Sequence, residues 1–98
     1  MDKKKIIEEN WGKDTIFEVI ESHNISLIEF LEIAFELYLY TKNTPNIGRR
    51  WTKVEEDFLI KHASQLSVRD ASNLLYRSHY ATYQRVRFLG LGEMINKK

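Results

Sequence analysis

Cysteine is absent from the ninety-eight residues, which removes disulfides, thiolate zinc sites and cysteine nucleophiles together and points to a reducing compartment. Proline occurs once, at Pro45, and the four glycines are scattered at positions 12, 48, 90 and 92. No phosphate-cradling glycine loop or nucleophile elbow can be built from that spacing. No metal-ligand cluster or paired-carboxylate motif appears either, and His23 and His62 have no second ligand at a spacing that calls for a metal. An enzyme is therefore not expected, nor a cofactor or a metal site. Long apolar runs are missing as well: Leu27 to Tyr40 is interrupted by Glu29, Glu32 and Glu36 and is too short to span a bilayer. Lys3 to Lys5 are followed by only Ile6 and Ile7 before Glu8 and Glu9, which is no signal peptide. The expectation is a soluble, cytoplasmic chain with no membrane partner, forming one small domain or a small domain plus an accessory hairpin.

Strong net charge is also lacking, since the total is +1, but the charge is unevenly spread. Met1 to Gly48 carries a balance of −4, whereas Arg49 to Lys98 carries +5. The sign changes near the only proline-containing linker. Such asymmetry suggests that the second half meets a polyanion while the first half does something else. Lys97 and Lys98 read as a solvated tail.

What is present is helical punctuation. Thr52-Lys53-Val54-Glu55 is a capping-box pattern, in which a hydroxyl and a carboxylate each satisfy a backbone donor of the first turn, and it predicts a helix over about 53–64. Ser67-Val68-Arg69-Asp70 repeats the signal and opens a second helix over about 68–75. Tyr76-Arg77-Ser78 then turns into a third over 79–89, capped by Ser78 and ended by Gly90. Trp51, Phe58, Leu59, Leu66, Val68, Ala71, Leu74, Leu75, Val86, Phe88 and Leu89 supply a core without strand-like alternation.

The first half is helical too. A weak helix is expected over about 2–9, a second capped by Asp14 and running to about His23, and a long third from the Ser26-Leu27-Ile28-Glu29 capping box to about Lys42. That long helix is apolar over about twice the arc a surface helix needs, so it should be covered on two sides. One side can pack on Ile16, Phe17, Val19 and Ile20. The other needs the second half of the chain, a second copy, or another protein. Leu27, Phe30, Leu31, Ala34, Phe35 and Tyr38 are the candidate self-association residues of a homodimer. The fold class is all-α, with an N-terminal helical hairpin over 1–46 for packing or association, and over 47–98 a three-helix helix-turn-helix bundle.

The third helix of that bundle carries the functional signal. On a 3.6-residue period Ala81, Thr82, Arg85, Val86 and Leu89 share the inner side. His79, Tyr80, Tyr83, Gln84 and Arg87 share the outer side, a basic-aromatic stripe suited to reading DNA.

With Trp51-Thr52 and Glu55-Glu56 opening the first helix and Arg77-Ser78 opening the third, residues 49–91 resemble the Myb/SANT-like, homeodomain-like domain in its single-repeat bacterial and phage version. The family's second tryptophan position falls on Val68, with the small residues Ala71 and Ser72 after it. Its third falls on Val86, directly after the family's arginine, here Arg85. Only the first tryptophan is kept, which places the resemblance with the divergent Myb-like group, and it covers under half the chain.

The resemblance implies that the third helix enters the major groove and that His79, Tyr80, Tyr83, Gln84 and Arg87 read bases. Arg87 would face a guanine edge, Gln84 adenine, and the tyrosines thymine methyls or phosphates. Lys53, Arg77 and the Arg49-Arg50 pair would hold phosphates, or the pair would enter the minor groove as an arm. Arg85, facing inward, would form a structural pair with Glu55 or Glu56. The implied function is sequence-specific binding of double-stranded DNA by a small, nucleoid-associated transcriptional regulator. A phage or mobile-element packaging or recombination factor, and a SANT-like module with a protein partner, are the alternatives.

Overall fold

A computed structural model describes residues 2–96, and every regular element among them is helical; Lys97 and Lys98 lie outside the described residues. In chain order the helices are α1 (Lys3–Asn10), α2 (Ile16–Ser22), α3 (Leu27–Glu36), a 3-10 turn (Leu39–Thr41), α4 (Lys53–His62), α5 (Val68–Leu75), α6 (His79–Phe88) and α7 (Gly92–Ile95). No helix among the described residues is long and apolar enough to cross a membrane.

The capping chemistry sets most of the starts. Complete capping boxes join Ser26 to Glu29, Thr52 to Glu55 and Ser67 to Asp70, and Ser78 Oγ accepts from the Ala81 amide at 3.1 Å. Asp2 caps α1 by accepting from the amides of Lys4 and Lys5. Asp14, the expected cap of α2, does not take that position. The boundary residue is Thr15, which makes no side-chain cap bond, because the chain first turns through Gly12 at φ +85° and begins the helix late.

The long third helix is shorter than its composition predicts. It ends at Glu36, and Tyr38 adopts a left-handed φ of 57°, after which the 3-10 turn carries Leu39 into the core. No glycine or proline marks this break. A tertiary contact holds it, as Asn73 Nδ2 donates to the Tyr40 carbonyl at 2.8 Å, tying the turn to α5. The short α7, which no sequence signal announces, comes after Gly90 at φ +74° and buries Met94 completely.

One core spans both halves of the chain. Ile7, Ile16, Ile20, Phe30, Leu31 and Ala34 from the first half join Phe58, Leu59, Leu66, Leu74, Leu75 and Val86 from the second. Tyr76 links them, with its ring among Trp11, Phe17 and Phe30 and its hydroxyl accepting from the Gly12 amide at 2.6 Å. The acidic edge of α3 is also matched internally: Glu29 pairs with Lys3, Glu36 with Lys4, and Glu32 with both Lys61 and His62.

This packing corrects the self-association expectation. Phe30, Leu31 and Ala34 are fully buried within the single chain, and Leu27 and Phe35 pack against the same core, because α1, α4 and α5 cover the excess apolar arc of α3. Of the six candidates only Tyr38, 67% exposed, is left outside.

Candidate nucleic-acid interface

α6 packs on the core through one side and projects the other. Thr82 and Val86 are buried beneath it, and Thr82 Oγ1 donates to the Ser78 carbonyl at 2.9 Å. At its far end the Leu89 amide donates to Arg85 and the Leu91 amide to Val86, closing the helix before α7 packs below. His79, Tyr80, Gln84 and Arg87 are exposed, as the periodicity places them. Tyr83 is half-buried against the core, with the Arg87 guanidinium 5.9 Å from its ring centroid.

Phe88 is a correction. Expected in the core, it is 75% exposed, because it lies four residues beyond Gln84 and eight beyond Tyr80, on the outer side of α6. The exposed ridge therefore runs Tyr80, Gln84, Arg87 and Phe88. Ala81 and Arg85 flank it on one side, Tyr83 on the other.

A furrow lies along each flank. The first is lined by Ser67, Arg69 and Asp70 from the start of α5, by His79 and Tyr83, and by Met94 of α7. The second is lined by Trp51, Tyr80, Ala81, Gln84, Arg85 and Phe88. Trp51 is thus a half-buried furrow wall and not a sealed core residue.

The basic residues divide sharply. Glu55, 0% exposed, is the acceptor at the centre of a buried cluster: its Oε2 takes bonds from Arg49 Nη2 at 2.8 Å and Arg77 Nε at 3.1 Å, and its Oε1 from Arg77 Nη2 at 3.1 Å. Arg77 also donates to the carbonyls of Arg49 and Arg50, and its guanidinium lies 4.0 Å from the centre of the Trp51 ring. Arg49 donates to the carbonyls of Ile47, Leu75 and Tyr76 and stands over the ring of Phe17. Burial lowers the Arg49 pKa from the ordinary arginine value, with Glu55 opposing the shift and Arg77 adding to it.

The expectation that Arg49 and Arg77 hold phosphates is corrected accordingly. The Arg77 side chain is 4% exposed, and both guanidiniums have their donors directed at Glu55 and backbone carbonyls. Arg85 Nη1 sits 3.0 Å from Glu56 Oε2, so of the two partners implied for it the structure selects Glu56, while Glu55 is taken by the other two arginines.

Lys61 pairs with Glu32, and Lys53, largely exposed, reaches Asp57 at 3.4 Å. Arg50, Arg69 and Arg87 are exposed and have no ion-pair partner among the described residues. Arg69 is a candidate contact that sequence reasoning misses, although it stands two residues after the Ser67 cap, where the first turn of α5 leaves it outward. Its place beside His79 and Tyr83 depends on how α5 packs against α6, which no local pattern encodes.

No family model, curated protein or solved structure matches the chain. Among the described residues no group of three His, Asp or Glu side chains could hold a metal ion.

Proposed function

We propose that this chain binds double-stranded DNA sequence-specifically, seating the α6 ridge in the major groove, as a small transcriptional regulator does. The observation that carries this reading is the relief and chemistry of α6. The helix has no carboxylate, presents an amide, a guanidinium, an imidazole and a phenol to solvent, and has an arginine without an ion pair, Arg69, in the furrow on one flank. Gln84 and Arg87 are the side chains suited to bidentate bonds with adenine and guanine edges. Arg50, Arg69 and Lys53 supply charge for the phosphates that border the groove, fixing register without reading sequence. Arg77 and Arg85 act indirectly, the first tying the Arg49-Arg50 backbone to the start of α6 by donating to both carbonyls, the second bracing α6 on α4. Pairing of two copies through α3 forms no part of the proposal, since its apolar face is already covered within the chain.

The test is selection from a random duplex pool, then anisotropy titrations on the enriched site. Gln84→Ala and Arg87→Ala are each expected to weaken that site by about fivefold to 150-fold, from loss of about 1–3 kcal/mol per base contact. Arg50→Ala and Arg69→Ala should instead weaken all duplexes alike and flatten the slope of log K against log salt by about 0.9 each, one phosphate apiece. Unchanged binding by a Gln84→Ala/Arg87→Ala double variant would remove α6 from the interface.

A further inference from the structure

The α6 ridge is not polar throughout. Phe88 is 75% and Tyr80 71% exposed, and with Ala81 and Trp51 they line one continuous furrow. The back of the furrow is tied to α4 by an ion pair. Arg85, paired to Glu56, lies with its guanidinium 5.4 Å from the Trp51 ring and 5.0 Å from the Phe88 ring, so its charge is committed to the wall. Gln84 lines the same furrow, next to Phe88 on the helix surface.

Resting on the DNA-binding reading above, we infer that the Phe88 furrow is a specificity site for the C5-methyl of thymine, close to the base that Gln84 reads. The floor of the major groove offers acceptors, amino donors and a single apolar group, the thymine methyl. An exposed phenyl ring on the inserted ridge has no other group there against which to lose water without stranding a polar atom. The other groups of the furrow fit the assignment: Ala81 leaves room beside Gln84, and α6 carries no carboxylate that would repel the phosphates on approach. The recognised element is thus a 5-methylpyrimidine next to the Gln84 contact.

The experiment takes duplexes enriched from a random pool by the wild-type chain and replaces each thymine singly by deoxyuridine, which removes the methyl and leaves the hydrogen-bonding edge intact. One or two positions should lose about three- to fivefold in affinity, the expected effect of exposing one methyl-sized apolar group. For Phe88→Ala that penalty should vanish, with binding to the thymine duplex weakened to the level of the uridine duplex. Phe88→Leu should keep part of it. Because Phe88 is exposed, these variants should unfold with the wild-type midpoint. Duplex binding that ignores uridine at every position overturns the assignment while leaving the DNA reading standing, and marks the aromatic furrow as a surface for a protein. A uridine penalty that persists unchanged in Phe88→Ala overturns it equally. Failure to enrich or bind any duplex overturns both.

Discussion

Replacing Glu55 by alanine is expected to cost about 3–5 kcal/mol, the range for removing one partner from a buried ion pair. That is a large share of the roughly 5–15 kcal/mol by which a domain is stable. The carboxylate does three jobs at once. Its Oε1 accepts from the Thr52 amide at 3.2 Å and hydroxyl at 3.0 Å, completing the cap of α4. Both oxygens compensate the guanidiniums of Arg49 and Arg77. Through Arg77 they also hold the Arg49 and Arg50 carbonyls against the start of α6. Without it, Arg77 keeps its carbonyl partners and the Trp51 ring but no anion, in a position too buried for water to substitute. The Glu56–Arg85 pair is the internal control. It is partly exposed, so Glu56→Gln should cost within about 1 kcal/mol in urea unfolding. A Glu55→Ala loss as small as the control would mean that the two arginines swing into solvent. The cluster would then be ornamental to stability.

The same cluster shows where sequence reasoning stops. The capping boxes at Ser26, Thr52 and Ser67 depend on residues three apart, and the helices they open begin where the sequence places them. The outward placement of His79, Tyr80, Gln84 and Arg87 comes from helical period alone. Which arginines are free does not. Arg49 and Arg50 are adjacent in sequence, yet one is bonded to Glu55 and the other is exposed, and the difference lies in the fold of α4, α5 and the turn between α5 and α6. The positive balance of the second half accordingly overstates the charge offered to a polyanion, because Arg49, Arg77, Arg85 and Lys61 are matched within the chain.

The break of α3 at Glu36 is hidden from the sequence for a similar reason. Leu37 and Tyr38 are not breakers, and the left-handed Tyr38 is stabilised by the next two residues, a buried Leu39 and a Tyr40 whose carbonyl is bonded to α5. The excess apolar surface of α3 does signal a second cover. Composition alone does not distinguish the chain's own second half from another copy.

Tyr76 is where that cover is fastened, and its variants should separate packing from hydrogen bonding. Tyr76→Ala is expected to cost about 3–5 kcal/mol, as for other buried aromatic truncations, because it empties the space between Trp11, Phe17 and Phe30. Tyr76→Phe keeps the ring and loses only the bond accepted from the Gly12 amide, so its cost should be about 1 kcal/mol. The phenol also predicts an alkaline transition. Burial pushes its pKa up to about 12 from the ordinary value of 10, against the opposing effect of the Gly12 amide. Below pH 10 both folded and unfolded chains hold the proton, and the folded state keeps its full advantage. Between pH 10 and about 12 the unfolded chain ionises first, so stability should fall by about 1.4 kcal/mol per pH unit, roughly 3 kcal/mol in all. Burial raises Tyr40 as well, with Asp70 and Tyr38 adding to the shift, so the wild-type curve alone mixes two phenols. The difference in unfolding free energy between wild type and Tyr76→Phe, measured from pH 9 to pH 12 by urea titration, isolates Tyr76. That difference should shrink as pH rises and change sign before the upper limit, since the phenylalanine variant has no proton to lose there. A difference independent of pH would mean that the phenol ionises as readily in the folded chain as in the unfolded one. The junction between the two halves would then be open to water.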